Sequence, residues 1–187
     1  MPGETPPIIQ QLIRDHRNMA RLLDVLQEEM ERYRQTKSAD FEVLSRIVDY
    51  VLNFPELRHH PREDLVFKHL KNKVPANAGP SGAILAEHRE MAALTRRLSA
   101  AVYNLWHDVE MPRPWFDALA ATFVTTLRQH MRDEEETYFP LAVASLGHED
   151  WQKIEAEAMA HSDDPLFGGK TDAEYQALHD RILRLAR

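Results

Sequence analysis

A chain of 187 residues, 43% hydrophobic and 28% charged, is long enough to bury one core and has the balance of an ordinary globular protein. Its net charge of −7 argues against a nucleic-acid partner held through phosphates. The absence of cysteine excludes disulfides, iron–sulfur clusters, thiolate zinc sites and a cysteine nucleophile, so any metal must be held by nitrogen and oxygen.

The opening MPGETPP lacks the basic and apolar regions of a signal peptide, and no apolar run approaches the ~18 residues of a bilayer span. These features predict a cytoplasmic protein without membrane contact. Pro6 and Pro7 open a first helix whose Ile9, Leu12, Ile13, Met19, Leu23, Leu26 and Met30 follow helical spacing. After the polar break at Thr36–Asp40, a second helix is predicted from Phe41 to about Leu70. Its inner residues are Phe41, Leu44, Ile47, Val48, Val51 and Leu52. Pro55 and Pro61 predict a kink or a brief break within it, because each removes a donor and crowds the carbonyl four residues back.

The run from Pro75 to Gly82 is a loop. A third helix is predicted from about Ser81 to His107, with Ile84, Leu85, Met91, Leu94, Leu98, Val102 and Leu105 in its stripe. Pro112 and Pro114 mark the next turn. A fourth runs from about Trp115 to Leu146, with Leu119, Phe123, Leu127 and Leu141 inward. Four long amphipathic helices with short connections predict an all-α, antiparallel up-down four-helix bundle. A helix from about Glu149 to Ala160, a loop from His161 to Gly169 and a last helix from Asp172 follow. The expected organisation is one domain over 1–187, with a bundle core at about 8–146 and a helical extension at 147–187.

Certain histidines fall on the buried stripes. His16 lies between Leu12 and Met19, and His88 between Ile84 and Met91. His130 and Glu134, four apart, continue the line of Phe123 and Leu127 towards Leu141. His59 and Glu63, also four apart, extend the line from Val51. Residues four apart project from one helix face. A lone histidine on an apolar stripe is ordinarily a hydrogen-bonded core residue, and one His-x-x-x-Glu pair is ordinarily a surface contact. Two such pairs and two further histidines converging from four helices are different. Buried carboxylates are costly unless positive charge sits among them, and metal ions supply it. Without a cation, at least one of the two carboxylates is expected to take up a proton.

Imidazole and carboxylate without thiolate suits iron, manganese or zinc, and two carboxylates able to bridge suit a pair of ions. His69, His107, His148 and His179 fall near helix ends or on polar faces and are expected at the surface. His161 could fold over the bundle. Glu56-Leu-Arg-His59 matches the E-x-x-H of ferritin-like di-iron proteins, but no second copy occurs.

The pattern H…HxxxE…H…HxxxE, here His16, His59-His-Pro-Arg-Glu63, His88 and His130-Met-Arg-Asp-Glu134, resembles the hemerythrin-like proteins, or HHE cation-binding domains. The segment from His130 to Pro140 is especially similar to that family's fourth helix, and the resemblance covers about residues 8–146. It implies a non-haem di-iron centre bridged by carboxylates, with an open coordination position for oxygen or a related small molecule. Two features depart from the oxygen carriers. They carry two histidines four apart on helix three, where this chain has Ile84 and Ala92 at that spacing from His88. They also place the helix-four carboxylate five residues after its histidine, which would be Glu135. An ideal helix favours Glu134, because five residues turn it ~140° away. His60, beside Pro61, would restore a fifth histidine.

The expected ligand set is therefore His16, His59, His60, Glu63, His88, His130 and Glu134, around two iron ions, with manganese or zinc as alternatives. The expected role is binding or sensing of oxygen, nitric oxide or peroxide, or iron handling, without an organic substrate. The alternative is a di-iron enzyme with peroxidase-like, catalase-like, nitric-oxide-detoxifying or iron–sulfur-repair activity.

Overall fold

The computed structural model describes residues 5–74, 82–158, 164–168, 171 and 173–185. Helix α1 spans Pro7–Thr36, with proline at its first position, where the missing N–H would lack an intrahelical partner anyway. It ends at Lys37, whose left-handed backbone (φ 58°) lets its N–H bond the carbonyl of Tyr33. Helix α2 (Phe41–Phe54) is capped by Asp40, whose side chain accepts the N–H of Val43 at 3.1 Å.

The chain then continues through a π turn, Pro55–His59, directly into α3 (His60–Lys71). Helix α4 spans Gly82–Trp106. Helix α5 (Arg113–Asp133) passes through a second π turn, Glu134–Tyr138, into α6 (Phe139–Ser145). Helix α7 is His148–Ala158, and a 3₁₀ turn at Ala173–Tyr175 leads into α8 (Gln176–Leu185). The described residues contain no strand. None of their helices is long and apolar enough to cross a membrane.

The four bundle members are α1, α2–α3, α4 and α5–α6. Contacts run from α1 to α2, α2 to α4, α4 to α5 and α5 back to α1, the closed order of an up-down bundle. Helix α7 packs on α3, and α8 on α1 and α2. The loop predicted from Pro75 and the residue His161 lie outside the described residues, apart from the loop's end at Gly82.

Where a kink or break is expected in the second helix, the structure has a widened turn. The N–H of His60 bonds the carbonyl of Pro55, five residues back, and Pro61 follows at once. The second π turn repeats this: the N–H of Phe139 bonds the carbonyl of Glu134, and Pro140 follows. A proline ring crowds the carbonyl four residues before it, and a wider turn relieves that contact without breaking the helix. The extra residue shifts the inward register. Leu141, expected inward, is half-buried, while Phe139, Ala142 and Leu146 take the core line.

Apolar side chains form two separate clusters. One joins Met19–Met30, Val43–Phe54, Met91–Val102 and Phe116–Met131 with Leu166, Tyr175, Leu178 and Ile182 of the C-terminal segment. The other joins Ile8, Ile9 and Leu12 with Val66, Phe67, Leu70, Ile84, Phe139, Ala142, Leu146 and Ile154. In each bundle member a polar stretch separates the two clusters: His16 in α1, His59 to Glu63 at the α2–α3 junction, His88 in α4 and Glu134 beyond α5.

Candidate metal centre

All seven residues expected as ligands are buried in this intermediate layer, Glu63 and Glu134 completely. Helix α1 carries His16 one turn beyond Leu12. The first π turn ends on His59, and α3 begins on His60. Widening at that junction accompanies burial of two consecutive histidine rings, which a regular amphipathic stripe does not give. Glu63 follows one turn on. Helix α4 supplies His88, α5 supplies His130, and the second π turn begins on Glu134. The rings of His60 and His88 stack at 4.2 Å and 10°.

The two carboxylates stand among the imidazoles. Glu63 Oε1 lies 2.8 Å from His59 Nε2 and 3.3 Å from His16 Nε2, and its Oε2 lies 3.5 Å from His88 Nε2. Glu134 Oε2 lies 3.3 Å from His16 Nε2 and 3.4 Å from His130 Nε2, with Oε1 3.8 Å from His88 Nε2. Among the described residues two groups of donor atoms result: His16, His59 and Glu63, and His60, Glu63, His88 and His130. Within each, the atoms lie within 4.8 Å of one another, and Glu63 belongs to both.

Ligand atoms ~2.0–2.2 Å from an ion stand at most about 4.4 Å apart, so a contraction of a few tenths of an ångström closes either group on a cation. Glu63 Oε2, both Glu134 oxygens, His88 Nε2 and His130 Nε2 are buried and make no hydrogen bond of good geometry among the described residues. Such atoms are costly to bury unless something else satisfies them, and a metal fits this donor set.

Carboxylates behind the rings hold the outer ring nitrogens. His16 Nδ1 donates to Glu135 at 2.9 Å, His59 Nδ1 to Asp15 at 3.2 Å, His88 Nδ1 to Asp64 at 3.1 Å and His130 Nδ1 to Glu87 at 3.2 Å. An ionised carboxylate only accepts, so each bond keeps a proton on Nδ1 and turns Nε2 towards the interior. Glu135, 39% exposed at its side chain, thus supports a histidine from outside, whereas Glu134 faces the interior. Asp15 is fully buried, accepts from Gln11 Nε2 at 2.7 Å and lies 3.9 Å from Arg62 Nη1.

Sequence reasoning missed Asp15, Asp64 and Glu87, and weighed Glu135 only as a rival to Glu134 for the bridging place. Each is the immediate neighbour of a predicted ligand, which is the signal that was available: Asp15 beside His16, Asp64 beside Glu63, Glu87 beside His88 and Glu135 beside Glu134.

Electrostatics revise one expectation. Burial would neutralise Glu63, but the rings of His59 and His16 outweigh it and hold its carboxyl well below the usual range. Burial works against a charged His16, yet the carboxylates of Glu134, Glu135 and Glu63 push its pKa up to about 11. His88 reaches about 10 in the same way, burial being overcome by Asp64, Glu134 and Glu63. His59 is raised against burial by Glu63 and Asp15. His60 is lowered, by burial and by the neighbouring rings. At Glu63 the metal-free centre therefore favours a carboxylate facing charged imidazoles, where the sequence allows a protonated carboxyl. Protons at His16 and His88 supply positive charge beside the buried acids.

A groove open to solvent runs between α3 and α4, lined by His60, Asp64, His88, Arg89, Ala92 and Arg96. It reaches the stacked histidines beside Ala92, one of the two positions four residues from His88. Of the other histidines, His107 and His148 are exposed, and His69 and His179 half-buried. The side chain of Glu56 lies outside the described residues.

The family model for the hemerythrin HHE cation-binding domain matches residues 7–142. A search among curated proteins finds no match to this chain. The match spans all four bundle members and every residue of the buried cluster, and its description agrees with a donor set that fits cations. The chain belongs to the hemerythrin HHE cation-binding domain family.

Proposed function

We propose that this protein holds two non-haem iron ions and binds or senses a small molecule such as oxygen, nitric oxide or peroxide, or handles iron itself. One observation carries the di-iron reading: Glu63 belongs to both donor groups, one built with His16 and His59 and the other with His60, His88 and His130. A single ion in the larger donor group would leave three of the seven buried residues, His16, His59 and Glu134, without a role. Glu134, facing His16, His88 and His130, would be the second carboxylate ligand. Bound iron would supply a redox-active centre with affinity for oxygen and related ligands.

This chain's residues do the rest. The outer carboxylates present each Nε2 lone pair inward, and the two apolar clusters border the layer on either side. The groove beside Ala92 gives a small ligand a path to His60 and His88. The small size of the intended ligand leaves peroxide or nitric oxide turnover as the enzymatic alternative.

Anaerobic loading followed by metal analysis is the test, and two irons per chain are expected. One tightly held zinc with no iron uptake would overturn the reading. Rapid mixing of the loaded protein with peroxide or nitric oxide separates simple binding from turnover.

A further inference from the structure

The four acids behind the histidines form a closed circuit. Asp15 of α1 bonds His59 at the α2–α3 junction. Asp64 of α3 bonds His88 of α4, Glu87 of α4 bonds His130 of α5, and Glu135 of the second π turn bonds His16 of α1. Each bond joins neighbours in the bundle, and each acid adjoins a proposed ligand on its own helix. One residue along a helix turns the side chain by ~100°. An acid next to an inward residue therefore stands on the flank facing the next helix, within reach of that helix's imidazole.

We infer that Asp15, Asp64, Glu87 and Glu135 act as one ring of positioning residues that sets both the orientation of four imidazoles and the charge the centre holds best. The inference rests on the di-iron reading above. Orientation follows because each Nδ1–H is fixed on a carboxylate, leaving Nε2 as the inward donor. Charge follows from the donor set. With Glu63 and Glu134, the ring brings six carboxylates to the centre, and the five imidazoles are neutral when they ligate. Six negative charges balance a pair of trivalent ions and exceed the charge of a divalent pair by two. Arg62, 3.9 Å from Asp15, offsets only part of that excess. A carboxylate bonded to a ligating imidazole also makes it a stronger donor, and this too favours the higher oxidation state. The ring thus biases the centre towards its ferric form and lowers its midpoint potential.

Asp64, Glu87 and Glu135 are each about two-fifths exposed at the side chain, so their amide variants should fold, whereas fully buried Asp15 is a poorer target. The experiment compares iron-loaded wild type with Asp64→Asn, Glu87→Gln and Glu135→Gln, reading midpoint potential and ferric iron retention against a chelator. Glu136→Gln removes an exposed neighbouring charge with no described bond to a histidine. Asp64→Glu keeps the charge. Each amide variant should raise the potential and weaken retention by about 10–100-fold, with Glu136→Gln and Asp64→Glu close to wild type. If wild type takes up two irons and the three amide variants match Glu136→Gln in both readings, the ring is overturned and the di-iron reading stands. If wild type takes up no iron, both fall together.

Discussion

Glu63 and Glu134 are the side chains whose loss the centre should tolerate least, because each faces histidines of several helices and neither is exposed. Replacing either by alanine should reduce iron from two per chain to one or fewer. His69→Ala and His179→Ala, at half-buried positions outside the cluster, should keep both ions; equal metal content in all four variants would show the site is elsewhere. Ala92 supports a different prediction, since it lines the groove that reaches His60 and His88. Ala92→Phe should leave two irons bound but slow nitric oxide association at the loaded centre by at least about tenfold, a barrier change of ~1.4 kcal/mol. Unchanged association kinetics would mean the ligand enters by another route. Six of the seven inward residues were legible at this scale from their places on the apolar stripes and the two four-residue spacings, whereas His60 entered only through the family resemblance. The supporting acids were not legible. Asp15, Asp64 and Glu87 look like solvated helix charges until the neighbouring helix is placed beside them, and Glu135 enters the sequence only as a rival to Glu134.

At the scale of elements, the two π turns carry the largest departure from what the sequence suggests. Pro61 marks a disturbance in the second helix, but a proline alone does not distinguish a kink from a widened turn. Pro140 lies within a run whose heptad-like spacing from Phe123 to Leu141 conceals the added residue. The register beyond that turn, with Phe139 inward and Leu141 half-buried, is a tertiary outcome. Phe139 stacks on His16 at 5.6 Å and on Phe67 at 6.4 Å. The C-terminal helices were legible as helices, but their docking was not. Tyr175 donates to Asp49 and Tyr50 to Asp164, each at 2.8 Å, and Arg181 donates to Glu28 and Glu29. Leu178, fully buried, belongs with the apolar cluster on the α8 side of the metal layer. Leu178→Ala should therefore cost about 2–5 kcal/mol of stability in metal-free and loaded protein alike, with iron content unchanged. Loss of metal at permissive temperature would tie α8 to the centre itself.

For the whole molecule, metal and protons compete to neutralise the same buried acids, and this fixes how stability should vary with pH. In the metal-free protein, the carboxyl of Glu63 is held well below its ordinary 4.5, so its contribution is present above that value and is lost as pH falls through the depressed one. His16 and His88 act in the opposite sense. Their folded pKa values of about 11 and about 10 exceed the ordinary 6.5, so their contribution is complete below 6.5 and drains away as pH rises towards 10 and 11. Metal-free protein should accordingly be most stable between about pH 4.5 and 6.5 and lose stability towards alkaline pH. Loaded protein should follow the other slope, because iron needs deprotonated imidazoles and grips more firmly as protons leave. A ligand that binds only the native state adds stability by mass action, so the two forms should diverge as pH rises. Thermal melts of stripped and iron-loaded protein, prepared anaerobically at about pH 6 and about pH 8.5, test this directly. The stripped form should melt lower at the higher pH, and the gap to the loaded form should widen. Coincident melts at the higher pH with loading verified, or a stripped form that gains stability there, would contradict a buried centre in which imidazolium stands in for metal.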